Sequence, residues 1–252
     1  MPYLHNRDKN LLDSIHYPSW KYLCTIVSFS EASFLIDILQ GIKVSSFKLK
    51  KIFYENDVLP VRNPIYSQYN GQTIDAIIID DTKSKRRSGG RPSIKGALGL
   101  DLETGEEFLL YLDAVKSWSE FLSHIKRNYN ISDEVYAICD GDANLQQHLE
   151  DCGYRIQQCT NQIDTTQKEL LSIANELLSR NKNSNTAKFI LRTAGKVTLF
   201  AKLTSRGIHI PDNNNHVENL RGIVGQRIKK NRQSWVDKNL EIMVNTIWQI
   251  IA

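Results

Sequence analysis

What the 252-residue chain lacks narrows it first. No stretch approaches the roughly 20 uninterrupted apolar residues needed to cross a bilayer, so no membrane association is expected. The opening MPYLHNRDKN is too polar for a secretory signal. A cytoplasmic protein is expected, nucleoid-associated if the source is prokaryotic. Only four cysteines occur, Cys24, Cys139, Cys152 and Cys159, and their spacing fits no zinc pattern. Reduced, structural thiols are expected. There is no internal repeat and no low-complexity tract, which leaves nothing to suggest a solenoid or a long disordered tail. A strong charge imbalance is missing too, since the formal net charge is only +4. The apolar share of 41% supports an ordinary core, in one large domain or one domain plus a small appendage.

What is present centres on Ala76-Ile77-Ile78-Ile79-Asp80-Asp81, a β-branched run that meets paired carboxylates. Consecutive apolar residues suit a strand buried on both faces. Acids at its end are costly unless solvated, hydrogen-bonded or neutralised by a cation. A second such stretch is Val135-Tyr136-Ala137-Ile138-Cys139-Asp140-Gly141-Asp142. Within each acidic pair, Asp80 and Asp140 directly end the apolar run, while Asp81 and Asp142 remain alternatives.

Taken in order, the first seventy residues read as helical. Ser28 and Glu31 form a capping box, Ala32, Leu35, Ile36 and Leu39 repeat at helical spacing, and Gly41 ends the helix. A second helix starts at Ser45 or Ser46 and is expected to bury Phe47, Ile52 and Phe53 with Lys48, Lys50 and Lys51 exposed. The pair is similar to a helix-turn-helix, so Lys48 and Lys51 are candidate DNA contacts. Asn63-Pro64 and Asn70-Gly71 place a boundary near residue 70, dividing a helical region (1–70) from the rest (71–252). A strand over 73–80 follows, then a basic loop, then a hairpin turning at Thr104-Gly105. A helix opens on the Ser117/Glu120 capping box, and the second acidic strand spans 134–140. A helix near 143–151 and a short strand at 154–158 complete the pattern. Residues 160–210 are helical, with stripes Leu170, Ile173, Ala174, Leu177 and Ala187, Ile190, Leu191, Ala194. A later helix buries Val217, Leu220, Val224 and Ile228, with Glu218 about 100° round from Val217 and Arg221 on the face of Glu218. The last helix, capped by Ser234 and Asp237, packs Leu240, Val244, Ile247, Trp248 and Ile251.

This order predicts a mixed sheet flanked by helices, with the first and fourth strands adjacent. Asp80, Asp140 and Glu218 would then supply three oxygen donors able to hold two magnesium or manganese ions about 4 Å apart. Basic residues cluster nearby in sequence: Lys83, Lys85, Arg86, Arg87, Arg91 and Lys95 after the first acid, and Arg221, Arg227, Lys229, Lys230 and Arg232 around the third. Phosphate backbones are their leading partner.

The layout resembles the ribonuclease H-like catalytic core of DDE-type DNA transposases, nearest the Mutator-like group and related prokaryotic insertion-sequence enzymes. Asp80-Asp81-Thr82-Lys83 is similar to that family's first motif, with Asp81 in place of glycine. Asp140-Gly141 matches the second, and Asn215-His216-Val217-Glu218-Asn219-Leu220-Arg221 the third. Two departures stand out. Cys159-Thr160-Asn161-Gln162 carries glutamine where the family often has histidine, and only 78 residues separate Asp140 from Glu218 (218 − 140). The resemblance implies a five-stranded ribonuclease H-like sheet and a helical insertion at 160–210. It implies catalysis by Asp80, Asp140 and Glu218 with two Mg2+ (or Mn2+) ions, and phosphate contacts from Lys83, Lys85, Arg86, Arg221 and Arg227. Its partners would be double-stranded DNA, as terminal inverted repeats and target, acted on by a homo-oligomer. A junction-resolvase-type nuclease on the same fold and a non-catalytic DNA-binding descendant are the alternatives.

Overall fold

The computed structural model describes residues 19–55, 64–83, 93–114, 117–159, 167–211, 213–228 and 235–252, with backbone alone at 19, 226 and 227. Helices α1 (Ser19–Ile26), α2 (Phe29–Gln40) and α3 (Ser46–Glu55) come first. Strands β1 (Ile74–Lys83), β2 (Ser93–Leu100) and β3 (Glu107–Asp113) follow, then α4 (Trp118–Asn128), β4 (Ile131–Cys139), α5 (Ala143–Asp151) and β5 (Arg155–Gln158). The chain ends in α6 (Gln167–Arg180), α7 (Asn185–Val197), α8 (Leu199–Thr204), α9 (Asn215–Ile228) and α10 (Asp237–Ile251).

The five strands form one mixed sheet in the order β3-β2-β1-β4-β5. Strand β2 runs antiparallel to both neighbours, whereas β1, β4 and β5 are parallel. With helices on both faces, this is a ribonuclease H-like α/β arrangement, and the first and fourth strands are adjacent as expected. The hairpin turns at Gly105, whose φ of 73° needs a residue without a Cβ penalty. Both capping boxes form, at Ser28/Glu31 and Ser117/Glu120.

Alternation along the strands sorts the core into two layers. Ala76, Ile78, Leu98, Leu112, Tyr136 and Ile138 face α1–α3, α9 and α10. Ile77, Ile79, Ala97, Leu110, Ala137 and Cys139 face α4 and α5. Trp20, Phe29 and Phe53 of the N-terminal helices belong to the first layer, so residues 19–55 share a continuous core with the sheet.

Several sequence expectations fail in detail. Phe47 is 79% exposed and Leu49 is buried in its place. The buried stripe of α3 is Leu49, Ile52 and Phe53, and Phe47 lies two residues before it, across the helix. Leu39, in the last turn of α2, is also exposed, as are Ile173 and Leu191. In α6 only Ala174 is buried, because α6 packs on α7, and it is α7 that contacts β5. At the start of α10, Val236 holds the cap position with no side-chain cap bond, and Asp237 is the first helical residue. Ser234 lies outside the described residues.

Helix α9 crosses the sheet closely, and Gly96 allows it. A Cβ at Gly96 would come within 2.8 Å of Leu220 Cδ2, in a core position where Leu220 is 1% exposed. Gly222, two residues on, has open space around it. Gly96→Ala should therefore destabilise the protein by about 1–3 kcal/mol through overpacking. Gly222→Ala should stabilise it by up to about 1 kcal/mol through helix propensity. Denaturant midpoints of the two variants measure the contrast, and equal shifts would contradict the close contact.

Candidate active site

Asp80 lies two residues after Ile78 and therefore on the α9 side of the sheet. Asp140 continues the same alternation from Ile138, just past the end of β4. The parallel β1–β4 ladder pairs Ile78 with Ile138 and then stops, so the two acids leave neighbouring strands side by side. The sequence places Asp80 at the end of its strand, but β1 continues to Lys83. Beyond Ile78 it is held by β2 alone, with Asp80 opposite Gly96 and Lys83 opposite Ser93.

Asp80 is 3% exposed, and each oxygen is engaged. Oδ1 accepts the backbone N–H of Asp81 at 2.7 Å. Oδ2 accepts Nδ2 of Asn214 at 3.0 Å and Nη1 of Arg221 at 2.5 Å. Burial pushes the Asp80 pKa above the ordinary carboxylate range; the Arg221 charge and the Asp81 N–H pull it down, and Asp140 pushes it up again. Asp140 is exposed. Its Oδ1 accepts the N–H of Asp142 at 2.9 Å, and its carbonyl accepts Nε2 of Gln146 at 3.0 Å.

The alternative acids have other tasks. Asp81 points to the opposite face, paired across the strands with Lys95. Lys95 is buried there beside Asp81, Asp113 and Glu120, and burial lowers its pKa against their pull. Asp142 is the N-cap of α5 and accepts from the N–H groups of Asn144 (2.8 Å) and Leu145 (2.9 Å). Asp80 and Asp140 are thus separated from their neighbours by geometry.

Glu218 lies in the first turn of α9 with its side chain exposed. Among the described residues, no three His, Cys, Asp or Glu side chains are grouped to hold a metal ion. What α9 brings to Asp80 is Arg221, three residues beyond Glu218, and Asn214, immediately before the helix. Lys83 is exposed at the end of β1, Lys48 is half-buried on α3, and Lys51 is exposed 4.0 Å from Glu55. Lys85, Arg86 and the side chain of Arg227 lie outside the described residues.

Sequence reasoning missed Asn214. Its carbonyl accepts the first helical N–H bond of α9, from Glu218, as an N-cap residue's would. Its side chain, however, is spent on Asp80. The run Pro211–Asn215 signals a capping loop, and nothing in that signal separates Asn213, Asn214 and Asn215.

No family model matches the chain, and no curated protein matches it. Among solved structures it is similar to a chain in the cryo-electron-microscopy structure of the simian T-cell lymphotropic virus intasome in complex with PP2A regulatory subunit B56 gamma. The TM-score is 0.21 at 12% identity, covering 71% of this chain and 65% of that one. At that score the likeness bears on neither activity nor partners.

The state of Asp80 has a measurable consequence. Because its folded pKa is raised, the native protein holds this proton more tightly than the unfolded chain does. Stability from this group is greatest below the unfolded pKa, about 3.9, and is lost as pH rises through the folded value. Asp80→Asn should remove that loss, so the variant should gain stability relative to wild type between acid and neutral pH. Denaturation midpoints across that range report it, and a constant difference at every pH would contradict a raised pKa.

Proposed function

We propose that this protein is a DDE-type polynucleotidyl transferase that cuts and joins DNA as a transposase. The observation that carries the reading is the side-by-side exit of Asp80 and Asp140 from parallel strands, on the face covered by α9. The donor set fits a hard divalent cation, because a buried carboxylate, Asp80, and an exposed one, Asp140, leave adjacent strands on the same face. Positive charge is already supplied to Asp80 there by Arg221. Asp80 and Asp140 would hold Mg2+ or Mn2+, with Glu218 of α9 as the third donor. When bound, two such ions would supply Lewis-acid polarisation of a phosphodiester and a nucleophile from water or a 3′-hydroxyl.

The chain's own residues supply the rest. Asn214 fixes the orientation of Asp80, whose second oxygen is held by the Asp81 N–H. Asp140 is fixed by the Asp142 N–H, so neither carboxylate is free to swing. Lys83, Lys85, Arg86, Arg221 and Arg227 are assigned to DNA phosphates near the site, and Lys48 and Lys51 to duplex contacts from α3. In the joining step the 3′-oxygen of one strand forms a bond to phosphorus, and the bond to the leaving 3′-oxygen of the other breaks. The substrates assigned are terminal inverted repeats and target DNA, handled by a homo-oligomer.

With Mg2+ or Mn2+, the purified protein should nick or join DNA carrying the repeats that flank its gene. Asp140→Asn should lower that rate at least about 100-fold, since several kcal/mol of charge stabilisation are removed. Glu218→Gln should do the same, and both should still bind DNA. Undiminished activity in Asp140→Asn would remove the proposal. A panel of four-way junctions and RNA–DNA hybrids separates a resolvase-type nuclease, and binding without cleavage by the wild type identifies a non-catalytic descendant.

A further inference from the structure

An ionised carboxylate offers roughly four acceptor positions, and Asp80 has most of them filled. The Asp81 N–H takes one on Oδ1, while the Asn214 amide and the Arg221 guanidinium take both on Oδ2. A divalent cation at Asp80 therefore meets a positive group already seated on one of its two oxygens. Like charges that close together repel strongly where water is scarce. One of the two Oδ2 donors has to leave before a cation can use that oxygen.

Asn214 and Arg221 differ in their freedom to go. Asn214 is buried, and its carbonyl accepts the Glu218 N–H at the start of α9, so it is held from both ends. Arg221 reaches the 3% exposed Asp80 from a side chain that is itself 36% exposed. Of its five N–H donors, only one, on Nη1, is engaged among the described residues. Gly222, the next residue on α9, has open space where a side chain would stand, so the helix surface beside Arg221 is bare. A guanidinium partly in water, with most of its fork unused, is suited to grip two oxygens of a phosphodiester.

We infer that Arg221 is shared between Asp80 and the DNA. A phosphate entering the site draws the guanidinium off Oδ2, and the acceptor position it frees passes to the divalent cation. Asp80 keeps its bonds to the Asp81 N–H and the Asn214 amide, so it is already oriented when Arg221 departs. One cation replaces another at the carboxylate, and the displaced one meets the charge of the phosphate. Both events depend on the same guanidinium, so DNA and metal each tighten the binding of the other, by the same factor. The inference rests on the polynucleotidyl transferase reading and adds a control to it: without DNA, Arg221 keeps the affinity for the cation low.

A double-mutant cycle on the full chain tests the sharing without metal or turnover. Fluorescence anisotropy with a blunt duplex, in EDTA at one fixed salt concentration, compares wild type, Asp80→Asn, Arg221→Gln and the double variant. Asp80→Asn should release Arg221 and tighten DNA binding about 10-fold, a typical coupling between sites. On the Arg221→Gln background the same change should give less than about 2-fold, the limit of additive behaviour. Asp140→Asn removes an equal charge with no hydrogen bond to Arg221 among the described residues, and its effect should be the same on both backgrounds. Mn2+ titrations without DNA, read by electron paramagnetic resonance, should show Arg221→Gln binding the ion about 10-fold more tightly than wild type. No gain in Asp80→Asn, a gain that persists without Arg221, or equal Mn2+ affinity in wild type and Arg221→Gln overturns the sharing and leaves the acidic site intact. Mn2+ bound by neither protein, or no DNA bound by wild type, overturns the sharing and the DNA-processing reading together.

Discussion

A carboxylate removed from water dominates the organisation of this molecule. Asp80 follows Ala76 and Ile78 on one buried face of β1, and a bare charge there would be expensive. The protein compensates from three directions: the Asp81 N–H, the Asn214 amide and the Arg221 guanidinium. Two of these come from the vicinity of α9, so that helix has to lie against β1. Its approach in turn requires that β2 present Gly96 opposite Asp80. A charge, a helix and a missing side chain form one interdependent set.

Much of this was legible in the residues themselves. The isoleucine run before Asp80 and the apolar run before Asp140 identified adjacent central strands, because only a strand covered on both faces tolerates them. The Thr104-Gly105 turn and the two Ser/Glu capping boxes fixed the hairpin and two helix starts through local chemistry. Strand alternation also explains why Asp80 and Asp140, rather than Asp81 and Asp142, share a face. That choice needs the sheet register, which sequence spacing alone does not contain.

The failures have physical causes of one kind. Phe47, Leu39, Ile173 and Leu191 look buried by composition, but a helix's buried face depends on what lies across from it. For α6 the opposing element is α7 rather than the sheet, which leaves little apolar surface covered. The role of Asn214 was hidden because a side chain 134 residues away in sequence decides whether it caps a helix or holds an acid.

The N-terminal helices occupy the same core layer as α9 and α10, and α1 touches both. Trp20 and Phe53 are therefore neighbours, at one remove, of the helix that carries Arg221. Packing of this kind ties the seat of α9, and with it Arg221, to α1 within one apolar layer, so a substitution that hollows out the Trp20 position removes support from behind the acidic centre as well.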